Sequence, residues 1–151
     1  MTAEKAPVRI AVDAMGGDNA PGETVKGAVE FAKSGEAQIL LVGEPEQVEA
    51  ELAKHDTDGA PIAVIPSDGV IKEGDAPALA LRQNPRASIL VSTSLVKKGQ
   101  ADASVTMGST GGAMAAAAVI LGLAKGIERP ALGGPIIGMA PRTVIVDLGT
   151  N

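Results

Sequence analysis

The stretch Val8-Arg9-Ile10-Ala11-Val12-Asp13-Ala14-Met15-Gly16-Gly17-Asp18-Asn19-Ala20-Pro21-Gly22 decides the fold. Its first five residues are a short, largely β-branched apolar run, stopped by Asp13 and then by a glycine pair. Such a run reads as a buried parallel strand. Asn19 is placed to cap a helix, Pro21 suits the first turn, and Glu23 favours the positive end of the helix dipole. Val25, Ala28, Val29 and Ala32 then share one face, Lys26, Glu30 and Lys33 face water, and Gly35 closes the segment.

Working outward, Gln38 to Val42 is a second strand, and Gly43-Glu44-Pro45 turns into a helix on which Val48 and Leu52 are neighbours. Pro61 to Ile65 is a third strand. Asp75-Ala76-Pro77 and Asn84-Pro85-Arg86 break two further segments, the second running from Ser88 to Lys98 and closed by Gly99. Ala103 to Thr106 reads as a strand, Gly111 to Leu123 as a helix and Val144 to Asp147 as a last strand. This alternation predicts one three-layer α/β domain over residues 1–151, with a mainly parallel, doubly wound sheet and right-handed crossovers. Ligands of such sheets sit at the carboxyl ends of the strands. Three strands here end in glycine-rich loops, at 13–19, 107–112 and 147–151, so a site is expected on that edge.

Composition narrows the function. The chain has 151 residues, 45% apolar and 21% charged, enough for one globular core and too ordinary for disorder. The nearly apolar run from Gly111 to Ala124 is shorter than the roughly 20 residues a bilayer core needs. No cysteine is present, so there is no thiol nucleophile or disulfide, and the single histidine, His55, makes no metal cluster. Phe31 is the sole aromatic and the net charge is −5, which argues against a nucleic-acid partner. Met1 to Arg9 lacks an apolar stretch of signal-peptide length, so a cytoplasmic location is expected.

The 107–112 loop is the best anion candidate. It leaves a strand and enters a helix, and its glycines let backbone N–H groups approach a ligand at the positive end of the dipole. It is neither a Walker A loop, which needs a lysine, nor GxGxxG. Capping of the helix by Ser109 or Thr110 accounts for the same pattern. Asp13 and Asp147 are strand-end carboxylates that could simply tie down their loops, whereas Asp18 and Asn19 are better placed for substrate. Nothing in the carboxylate spacing demands a metal. Lys97 and Lys98 suit a helix C-terminus, while Arg82, Arg86 and Arg129 complete no obvious helix end. The alanine-rich helix from Gly111 reads as core or as a close contact between helices or subunits.

Ile10 to Pro21 (IAVDAMGGDNAP) resembles the opening signature of the bacterial phosphate acyltransferase (PlsX) family. Further blocks follow in order: Ile39–Gly43, Val70–Glu73, Ala101–Ala103, Gly108–Met114, Gly126–Leu132 and Asp147–Gly149. Two positions depart from the family pattern. Ser109 stands where an asparagine is expected, and a basic run near 82–86 is thinned to Arg82-Gln83-Asn84-Pro85-Arg86. Members of the family are longer, so the chain is expected to be the N-terminal half of such an enzyme. The resemblance implies a truncated version of the fold shared by isocitrate/isopropylmalate dehydrogenase-like and phosphotransacetylase-like proteins.

It also implies transfer of a long-chain acyl group from acyl carrier protein to inorganic phosphate, giving acyl phosphate for phospholipid synthesis without cofactor or metal. With phosphate as nucleophile, the protein needs to supply an anion cradle, orientation and donors for the thioester oxyanion. Asn19, Thr110 and Arg129 are the expected catalytic residues. Gly16, Gly17, Asp18, Gly108, Ser109, Gly111, Gly112, Asp147 and Asn151 are expected to bind phosphate or substrate. Arg82, Arg86, Lys97 and Lys98 are expected to dock the acidic carrier protein. A homodimer is expected, with peripheral membrane association of the longer form. Rival readings are a coenzyme A-dependent phosphate acetyl- or butyryltransferase, and a non-catalytic anion-binding or dimerisation module.

Overall fold

In the computed structural model, which describes residues 6–135 and 138–148, β1 (Val8–Asp13) lies at the heart of a parallel sheet. Ala37–Gly43 form β2 beside it, with Ile10 opposite Ile39 and Val12 opposite Leu41. Ile62–Pro66 form β3 beyond β2, and Ala103–Val105 form β4 on the other side of β1. The order is β3-β2-β1-β4, all parallel.

The two-residue alternation of the strands sorts their side chains into two apolar layers. Ile10, Val12, Ile39, Leu41, Ile62 and Val64 pack with α1 (Gly22–Ala32) and α2 (Pro45–Leu52) through Val25, Val29 and Val48. Ala11, Leu40, Val42, Ala63 and Ile65 face the opposite way, against Val91 and Leu95 of α4 (Ser88–Lys97). A third cluster joins α4 to α3 (Pro77–Gln83) and α5 (Thr110–Ala116) through Ala80, Ile89, Leu90 and Ala116. Ile39 and Leu41 are fully buried, each contributing about 1.5–3 kcal/mol. The expected three-layer α/β architecture is therefore present.

Three local expectations change. Val144–Asp147 does not extend the parallel sheet. Ile145–Val146 instead form β6, paired antiparallel with β5 (Gly133–Gly134) in a separate two-stranded ribbon. The helix expected over Gly111–Leu123 starts at Thr110, loosens into a π turn over Ala117–Leu121 and stops at Gly122, whose φ of 87° is left-handed. The Asn19 side chain does not cap α1; its backbone carbonyl accepts from Glu23 N–H at 3.1 Å, and Pro21 occupies the cap position. Among the described residues no helix is long and apolar enough to cross a membrane.

Candidate functional site

From β1 the chain steps to β2 and β3 on one side, then crosses back to β4 on the other. The direction of winding reverses between β1 and β4, and the loops leaving these two strands part there. That reversal is where doubly wound sheets place ligands. Two of the three glycine-rich loops meet at this point.

Thr106 joins them. Its hydroxyl donates to Asp13 Oδ2 at 2.7 Å, and its oxygen accepts from Gly108 N–H at 3.0 Å. Asp13 is buried, 1% exposed, and its other oxygen accepts from Met15 N–H at 3.2 Å. Both carboxylate oxygens thus hold loop backbone, one directly and one through Thr106. Gly16 is pressed into the same knot: a Cβ there would lie 2.7 Å from Asp13 Oδ2 and 2.8 Å from Gly108 N. Gly17 has a φ of 109°, which an L side chain rarely adopts.

Around the knot the backbone presents donors. The N–H groups of Gly16, Gly17, Asp18 and Asn19 on one loop, and of Ser109, Thr110 and Gly111 on the other, have no acceptor among the described residues. Ser109 is the cap of α5, its Oγ accepting from Gly112 N–H at 3.2 Å. Gly112 is pressed against Ile71, whose Cγ2 would be 3.1 Å from a Cβ there. Lys72 follows Ile71 and is exposed. The start of α5 is thus a set of free amides with a serine cap and a cation one residue from its packing partner.

On the opposite side of the knot, between α1 and the β1–β4 edge, lies a cavity of about 640 Å³. Asp13, Gly16, Gly17, Asp18, Asn19 and Glu23 line its mouth, and Ile10, Val12, Ile39, Phe31 and Val105 its body. Met107 stands at its rim, 70% exposed.

The structure therefore brings together Gly16, Gly17, Asp18, Asn19 and Gly108 around the knot, with Ser109, Thr110, Gly111 and Gly112 continuing into α5. Arg129 is exposed in the segment between the π turn and β5, and does not line the cavity. Asp147 follows β6, outside the main sheet, with a φ of 63°. Asn151 lies outside the described residues. The four basic residues fall into two pairs separated by α4, ten residues and so about 15 Å long. Arg82 and Arg86 precede it, with Arg86 paired to Asp68. Lys97 and Lys98 end it, and Lys97 Nζ donates to the Leu121 carbonyl at 3.2 Å. No group of three acidic or histidine side chains among the described residues is placed to hold a metal ion.

Thr106 is the residue that sequence reasoning missed. A threonine closing a strand looks like part of the strand, and only its pairing with Asp13 reveals its role. Phe31 and Gly27 at the cavity were also missed, because each reads as an ordinary position of an amphipathic helix.

Residues 8–151 match the family described as fatty acid synthesis protein. Relatives named phosphate acyltransferase include one from Acaryochloris marina, 47% identical over 145 residues. That match covers 95% of this chain and 42% of the relative. One from Heliobacterium modesticaldum is 46% identical, over 95% of this chain and 43% of its own length. One from Syntrophomonas wolfei is 45% identical, over 95% and 46%. The chain thus spans less than half the length of these curated relatives and matches their N-terminal part. With the IAVDAMGGDNAP opening folded into the knot and the match running on from it to residue 151, the chain belongs to the fatty acid synthesis protein family.

Proposed function

We propose that this chain carries the phosphate-binding and acyl-binding part of an enzyme that transfers a long-chain acyl group from acyl carrier protein to inorganic phosphate. The product is an acyl phosphate for phospholipid synthesis. The observation that carries the reading is the Asp13–Thr106–Gly108 knot, which holds two sets of unpaired backbone donors beside an apolar cavity. The names of the relatives supply the reaction class.

In this reading phosphate sits on the amides of Ser109, Thr110 and Gly111, where the dipole of α5 and the Thr110 hydroxyl favour it. Arg129 balances its charge, and Gly108, Gly112 and Asp147 complete the surroundings. Gly16, Gly17, Asp18 and Asn19 orient the thioester, their N–H groups being available to the oxyanion as phosphate attacks the carbonyl. The carbon–sulfur bond breaks, the carrier leaves as its thiolate, and the acyl–oxygen bond to phosphate forms. The bound nucleophile is itself an anion, so no side chain needs to act as nucleophile. Arg82 and Arg86 dock the carrier, a homodimer forms, and the cytoplasm is the location. The chain acts as one domain, the N-terminal part of a longer enzyme.

The test mixes the purified chain with palmitoyl acyl carrier protein, with and without phosphate, and traps acyl phosphate with hydroxylamine. Phosphate-dependent hydroxamate supports the reading. A folded chain that yields none at saturating carrier and phosphate shows that these residues do not contain the complete transfer site.

A further inference from the structure

The cavity beside α1 has a shape and a polarity that the phosphate site does not use. Thr24, Gly27, Ala28 and Phe31 are spaced i, i+3, i+4 and i+7, so they form one stripe of α1 along its wall. Glu23 and the 16–19 loop stand at the mouth, and Phe31 with Ile10 at the far end. From Glu23 to Phe31 the helix runs about 12 Å. The wall opposite is β1 and the exposed β4, whose Val105, with Met107 of the loop beyond it, offers more apolar surface. The mouth carries Asp18 and Glu23 and no cation among the described residues lines the cavity, so a carboxylate or phosphate head is disfavoured there and an uncharged ester or thioester is not.

Gly27 is an exposed position of α1 that lines the cavity and carries no side chain into it. A Cβ built there meets no atom within 4 Å, so packing does not demand glycine. Its place, about 6 Å below Glu23 along the helix, is halfway down the cavity.

We propose that this cavity holds the alkyl chain of the acyl donor, thioester at the Gly16–Asn19 mouth and methyl end toward Phe31, and that Gly27 sets the length of chain admitted. The inference rests on the acyl-transfer reading for the identity of the donor, and on the cavity alone for alkyl binding and its length limit. The knot then divides the labour, with the apolar chain on the α1 side, phosphate on the α5 side, and the reacting carbonyl between them.

Neutral S-acyl-N-acetylcysteamine thioesters of eight to sixteen carbons serve as probes, titrated by calorimetry into the whole chain without phosphate or carrier. The unaltered chain binds about fourfold more tightly for each further buried methylene until the cavity is full. Gly27→Leu and Gly27→Phe, which point into open space and raise helix propensity, stop that rise at a shorter chain and weaken the longest probe tenfold or more. Gly27→Ala falls between. Lys26→Phe, which places the same ring on the water-facing side, keeps the length dependence. Circular dichroism confirms that each variant is folded.

Affinities that do not depend on chain length, or a rise that continues unchanged in Gly27→Phe, overturn the proposal. A length limit that moves with Gly27 while the hydroxamate assay stays silent leaves the cavity assignment standing and shows that these residues do not contain the complete transfer site. Turnover whose chain-length profile ignores Gly27 does the reverse.

Discussion

The Thr106 hydroxyl donates to the buried Asp13 carboxylate at 2.7 Å across 93 residues of sequence, and that bond holds the β1 and β4 loops together. Replacing Thr106 with valine keeps the shape and removes both the donor to Asp13 and the acceptor for Gly108 N–H. A buried carboxylate oxygen and a backbone donor then lose their partners, at a cost of about 1–3 kcal/mol. Urea unfolding reads this directly. Thr106→Ser, which keeps the hydroxyl, stays close to wild type.

Gly16 makes the complementary prediction. A methyl group there must fit within 2.9 Å of Thr106 Oγ1, Asp13 Oδ2 and Gly108 N, none of which is the free end of a flexible chain. Gly16→Ala should destabilise by about 1–3 kcal/mol through overpacking. Gly27→Ala, with nothing in reach, should instead gain about 0.5–1 kcal/mol from helix propensity. Opposite signs for the same substitution in one chain are the outcome to check by urea unfolding.

Asp102 gives the pH dependence. Arg9 N–H donates to its Oδ2 at 2.8 Å, and this bond is the main cause that holds its carboxyl below the usual carboxylate range. Partial desolvation opposes the shift, and the Arg9 guanidinium charge adds to it. The unfolded chain therefore binds this proton more readily than the folded one. Asp102 stabilises the fold above its ordinary pKa of about 3.9, and this contribution is lost as pH falls through the lowered folded value. The stability difference between wild type and Asp102→Asn should shrink below pH 4 and vanish once the folded carboxyl is protonated. A difference that is constant from pH 6 to pH 2 contradicts this.

Docking of an acidic carrier is expected to fall on the Arg82–Arg86 end of α4, where α3 meets α4. Arg82→Glu with Arg86→Glu should slow association roughly tenfold at low salt, with the gap closing as salt rises. Stopped-flow association measures it. An unchanged rate at low salt removes this surface from the docking account.

Local patterns carried much of this in the sequence. The VRIAV run, the α1 face of Val25, Ala28, Val29 and Ala32, and Gly99 at the end of α4 behave as their spacing predicts. What spacing does not carry is which strands become neighbours. Val144–Asp147 has the look of a parallel strand, yet Ile145 and Val146 pair with two glycines in a separate ribbon. The switch point between β1 and β4 is a property of strand order, and the Thr106–Asp13 bond depends on it. The cavity was hidden for the same reason: it lies between α1 and the β1–β4 edge, and residues as far apart as Ile10, Phe31 and Val105 line it.

The most direct test of the central claim, that two glycine loops joined by Thr106 form one site with phosphate on its α5 side, is a phosphate titration followed by ¹H–¹⁵N NMR at neutral pH. The account predicts saturable shifts concentrated on the amides of Ser109, Thr110 and Gly111, smaller ones at Gly16 and Gly17, and their weakening in Thr106→Val. Shifts that never saturate, or that map to the ends of α4 and leave both loops unmoved, would contradict it.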